Sequence, residues 1–83
     1  MVASAKAAFA RDFIARVKAA REEQFTLSEM ERLLRLPKGA YRKYETSALL
    51  PHHLILRFCL VTATDPYELF GAPPDNATPY WKN

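Results

Sequence analysis

Five cations stand within the twelve residues from Arg32 to Lys43 (Arg32, Arg35, Lys38, Arg42 and Lys43), and no carboxylate interrupts them. The rest of the chain does not share this bias. Residues 1–31 carry five basic and five acidic side chains, and residues 64–83 carry three acidic and one basic. The positive potential is therefore local rather than a property of the net charge of +3. Clustered lysine and arginine neutralise phosphates, and they donate well to the O6 and N7 acceptors of guanine. The competing reading is a solvated helix face with no ligand.

Other reactive side chains are sparse. His52 and His53 are adjacent, so they point in different directions, and no second Cys/His pair stands at ligand spacing. They are read either as phosphate contacts at a helix N-terminus or as plain exposed residues. Cys59, the only cysteine, is read as a small core residue and fits a reducing cytosol. There is no glycine-rich phosphate loop and no distinctively spaced Ser/His/Asp or Cys/His set, so neither an enzyme nor a cofactor is expected. No apolar run approaches the roughly 18 residues of a membrane span, and the first twelve residues lack the apolar stretch of a signal peptide. Eighty-three residues make one domain whose core is marginal unless it dimerises.

The elements that must position the cations are short helices. Thr26 is a predicted N-cap with Glu29 as its capping-box partner, followed by Met30, Leu33 and Leu34 at helical spacing. Pro37 suits the first turn of a next helix running to about Glu45, with Tyr41 and Tyr44 on one face and Leu36 plugging the corner before it. Two short helices at a steep angle, the second one basic, make the geometry that offers a helix to the DNA major groove.

Around that pair the chain predicts three more helices. The first runs from about Ser4 to Gln24, with Phe9, Phe13, Val17 and Ala20 as its apolar stripe. Arg21 falls on the buried side of this helix, either snorkelling to solvent or pairing with Glu45 inside the domain. A fourth helix from Pro51 to about Thr62 is apolar nearly all round, which calls for cover by another chain or by the C-terminal tail. Of Leu49 and Leu50 just before it, one is expected in the core and the other at a subunit contact. Asp65 caps and Pro66 opens a fifth helix, which Gly71 ends. Residues 1–71 are thus the domain. Residues 72–83, with three prolines, are an extended tail, either disordered or docked through Tyr80 and Trp81.

Together RVKAAREE, TLSEMERLLRLPKGAYRKYE, the LLP that follows and TDPYELFG resemble the lambda-repressor/Cro-like (XRE-type) DNA-binding domains over about residues 13–71. The resemblance implies an all-α, compact five-helix domain with a helix-turn-helix at helices 2 and 3. It implies an Arg21–Glu45 ion pair, a core role for Tyr44, and Leu69 and Phe70 as the closing apolar pair. It places base contacts at Lys38, Gly39, Ala40, Arg42 and Lys43. Gly39 and Ala40 offer almost no hydrogen-bonding capacity, so phosphates and DNA shape are expected to dominate. Ser28, Arg35, Thr46 and Ser47 are the phosphate candidates. The chain departs from the family where Leu27 replaces the usual glutamine, Glu31 the usual small alanine and Arg35 the usual turn glycine. Arg35 must then accept a positive φ or shift the turn.

These readings predict a sequence-specific double-stranded DNA-binding transcriptional regulator, bacterial or phage-derived, cytoplasmic and nucleoid-associated. It would act as a homodimer on a two-fold site, with Leu49, Leu50, Leu60, Tyr80 and Trp81 as candidate dimer or partner contacts. The alternative is a protein-interaction module, such as an antitoxin or a subunit of a larger regulatory complex, gripping its partner through the fourth helix and tail.

Overall fold

The computed structural model describes residues 5–71. They form four α-helices and one 3₁₀ helix, with no strand among the described residues: α1 (Ala5–Glu22), α2 (Leu27–Leu33), the 3₁₀ helix (Arg42–Glu45), α3 (His52–Thr62) and α4 (Pro66–Phe70). Ser4, the expected cap of α1, lies outside the described residues, as do Tyr80 and Trp81.

Local chemistry explains the helix ends. The Thr26 hydroxyl accepts from the Glu29 N–H at 3.1 Å while the Glu29 carboxylate accepts from the Thr26 N–H at 2.8 Å, so two otherwise orphaned donors at the start of α2 are paired. Asp65 accepts from the Tyr67 N–H at 2.9 Å, Pro66 occupies the first turn of α4, and Gly71 closes it at φ +92°. α3 follows Pro51 and ends at Ala63, which takes a left-handed conformation.

The core joins both halves of the domain. Phe13 and Val17 of α1 cluster with Met30, Leu34, Tyr41, Leu50, Leu54, Phe58, Cys59 and Leu69. α1 packs against the 3₁₀ helix and α4, and α4 packs against α3. Phe9, Phe13 and Phe70 form an aromatic triangle with ring centroids 5.1–6.0 Å apart, which fastens α4 to the start of α1.

The third predicted helix is where structure and sequence reading part. Residues 37–45 do not form an α-helix. Pro37 to Ala40 make a tight turn closed by the Ala40 N–H on the Pro37 carbonyl at 3.0 Å, with Gly39 at φ +83°. Positive φ at the third residue while the second stays negative is the requirement of a type II turn, and glycine meets it without steric cost. Helix begins only afterwards, as the four-residue 3₁₀ segment. The described residues therefore hold four α-helices where five were expected.

Candidate nucleic-acid interface

Leu27, Ser28 and Glu31 from α2 line an open groove of about 380 Å³ together with Lys38, Gly39 and Arg42. The turn and the 3₁₀ helix are held against α2 by one bond across the corner, the Tyr41 N–H donating to Glu31 Oε2 at 3.1 Å. Glu31 thus takes a bracing position where a small alanine was the family expectation. Its partner stands ten residues away, and no local periodicity marks such a pair, which is why the sequence reading missed it.

All five cations of the basic run are exposed, and among the described residues none forms a salt bridge. Lys38 and Arg42 reach the groove. Lys43 lies with Nζ 5.2 Å from the centre of the Tyr44 ring, a cation–π contact that leaves its charge at the surface. Arg35 adopts φ +59°, so it accepts the positive φ that the missing glycine demands. Gly39 leaves open space where a side chain would stand, and Ala40 is half-buried.

The proposed phosphate contacts divide between two places. Ser28 belongs to the groove. Thr46 and Ser47 are exposed beyond the 3₁₀ helix, and the Thr46 hydroxyl already makes long contacts of 3.4 Å with the Arg42 and Lys43 carbonyls.

Next to the Tyr41 side chain, Arg21 and Glu45 meet. Nε donates to Oε2 at 2.9 Å and Nη2 to Oε1 at 2.6 Å, while Nη1 reaches the Phe25 carbonyl at 3.2 Å. Both side chains are nearly sealed from water. Hydrogen bonding to Glu45 raises the Arg21 pKa above its already high ordinary value. The Tyr41 hydroxyl is buried beside this pair, close to both the Glu45 carboxylate and the Arg21 guanidinium but in a well-aligned hydrogen bond with neither. Burial first, then the Glu45 carboxylate, pushes its pKa upward.

The partner-contact candidates separate cleanly. Leu50 is a core residue at 3 % exposure, which removes it from the contact set, whereas Leu49 is 42 % exposed and Leu60 82 %. Leu56, one turn before Leu60 and 68 % exposed, extends the same apolar surface. Spacing from Leu60 was the signal that could have found it.

His52 and His53 stand exposed at the start of α3 with ring centroids 5.9 Å apart. Among the described residues no three His, Cys, Asp or Glu side chains gather in a metal-binding group. Cys59 is buried, and burial raises its thiol pKa. A second cavity of about 330 Å³ lies between α1 and the α3–α4 junction, spanned at one edge by the Gln24 amide donating to the Thr62 carbonyl at 2.6 Å. No described helix is long and apolar enough to cross a membrane. Comparison of the chain with protein-family models, curated proteins and solved structures finds no match in any of the three.

Proposed function

We propose that this chain is a small double-stranded DNA-binding transcriptional regulator of the lambda-repressor/Cro-like type, working in the cytoplasm at the nucleoid as a homodimer on a two-fold site. One observation carries the reading: Arg32, Arg35, Lys38, Arg42 and Lys43 are all exposed and form no salt bridge among the described residues, and Lys38 and Arg42 line one groove. Exposed cations clustered in a run that no carboxylate interrupts are the footprint of phosphate binding.

The turn and 3₁₀ helix change how the DNA is met. We read α2 and residues 37–45 as a shortened helix-turn-helix whose second element is a type II turn followed by one turn of 3₁₀ helix. Such an element does not lie along the major groove. It presents the Lys38–Gly39 tip and Arg42 end-on, with Gly39 allowing the backbone to approach closely. Base contacts are then few, and phosphates supply most of the affinity. A second subunit, joined through Leu49, Leu56 and Leu60, doubles the contacts and fixes the half-site spacing.

The exposure of Leu56 and Leu60 supports a second reading, a protein-interaction module that grips a different chain through α3. Selection of a random duplex library by the purified protein separates the two. Enrichment of an inverted repeat with half-sites about ten base pairs apart is the expected outcome. Failure to enrich any sequence at low salt moves the assignment to the interaction module.

A further inference from the structure

We infer that Glu31 is a base-reading acceptor and makes the groove selective for a C·G pair, an inference that rests on the DNA-binding reading above. In the major groove guanine offers two acceptors, N7 and O6, and cytosine offers one donor, the N4 amine. The groove holds the complementary set: two cationic donors, Lys38 and Arg42, and one carboxylate, Glu31. A carboxylate among phosphate-binding cations is unfavourable for simple charge attraction, because it repels the DNA backbone. It becomes useful where a base-edge amine must be recognised.

The position of Glu31 is fixed in a way that suits this role. Its Oε2 accepts the Tyr41 N–H at 3.1 Å, which anchors the carboxylate at the corner between α2 and the 3₁₀ helix. Oε1 takes no hydrogen bond from the described residues, although the side chain is half-buried at the groove wall. One oxygen is therefore spent on orientation and the other is available. An acceptor held by a backbone bond loses little freedom when it meets its ligand, which favours discrimination over flexible contact. Lys38 and Arg42 supply donors to the guanine of the same pair. An A·T pair carries the same groups in another order: its amine, adenine N6, stands between the acceptors N7 and O4. Cations placed on two adjacent purine acceptors meet a donor there, and the carboxylate meets O4 unfavourably.

The test is a parallel duplex selection with the wild-type protein and Glu31→Gln at one low salt concentration. Glutamine keeps an oxygen for the Tyr41 N–H but turns an amide donor toward the groove, and a thermal melt checks that the variant is folded. The inference expects the wild type to require C·G at one position of each half-site, with about tenfold weaker binding when that pair is changed. Glu31→Gln is expected to lose that preference while keeping the others. A second measurement needs no variant: removing the 4-amino group from that cytosine should weaken wild-type binding to a similar degree. Unchanged base preference in Glu31→Gln, with only a general gain in affinity, or indifference to loss of the amine, overturns the inference and leaves DNA binding intact. Absence of any duplex binding by the wild type overturns both.

Discussion

Arg21 and Glu45 are joined by a two-pronged ion pair across 24 residues of chain, with N–O distances of 2.9 and 2.6 Å. This clamp ties the end of α1 to the end of the 3₁₀ helix, so it sets the base on which the basic segment stands. The pair is nearly dry, with side-chain exposures of 11 % and 4 %. Removing one partner strands a buried charge. Arg21→Met alone is expected to cost about 3–5 kcal/mol, whereas Arg21→Met with Glu45→Leu should recover most of that loss. Urea unfolding of the three proteins checks this; a double variant as unstable as the single one would contradict it.

Tyr41 next to this clamp should be over-specified. Its hydroxyl is buried without a partner, a situation that costs about 1–3 kcal/mol. Tyr41→Phe is therefore expected to leave stability unchanged or to raise it by about 1 kcal/mol. The variant also has a pH signature. The Tyr41 pKa is raised in the folded state, so the folded chain holds the phenolic proton more tightly. The associated stability is complete below the unfolded tyrosine value of about 10 and is lost as pH rises beyond it. Stability should fall more steeply above about pH 10 for the wild type than for Tyr41→Phe, with parallel curves between about pH 8 and 10.

Under the proposed DNA-binding reading, a change at Arg35 should move stability and duplex affinity in opposite directions. At φ +59° an arginine pays a conformational penalty that glycine escapes. Arg35→Gly is expected to stabilise the fold by roughly 1 kcal/mol. The same change removes one of the exposed cations, so duplex affinity should fall and its salt dependence should weaken by about one phosphate contact. A variant that gained stability with unaltered DNA affinity would remove Arg35 from the interface.

The capping box gives α2 an acid-sensitive start. The Glu29 pKa is lowered chiefly by the hydrogen bond from the Thr26 backbone N–H. A depressed carboxyl contributes stability that is present above its unfolded pKa of about 4.3 and is lost as pH falls through the lower folded value. Amide exchange in residues 27–30 should accelerate in that acid window. Thr26→Ala should bring the same acceleration to neutral pH, at a cost of about 1 kcal/mol.

What the sequence made legible follows from the range of each interaction. The Thr26–Glu29 box and the Asp65-Pro66 start of α4 depend on neighbours three residues apart or fewer, and spacing alone reveals them. The Arg21–Glu45 clamp was legible as a choice: the helical phase put Arg21 on the buried side, Glu45 was one of two readings for it, and the family resemblance implied the same pair. Residues 37–45 misled because Pro37 and the tyrosine spacing both suit a helix. Gly39 was the contrary signal, since a glycine two residues after a proline serves a turn as readily as a helix N-terminus. The exposure of Leu60 was decided by which face of α3 met the core, and the burial of Leu50 by how the loop before α3 closes on that core, tertiary outcomes that apolar spacing alone does not encode. Glu31 in the groove was invisible for the same reason, because its bond partner is brought close only by the turn.

The most direct measurement is duplex binding as a function of salt, made on the wild type and on Lys38→Glu with Arg42→Glu. Both positions are exposed, so the double variant should fold with an unchanged thermal melt. The wild type is expected to bind more weakly as salt rises, with a log–log slope set by the number of phosphates it neutralises. The charge-reversed variant should lose binding at every salt concentration. Equal binding by the folded variant and the wild type would contradict the claim that this groove is the face that meets DNA.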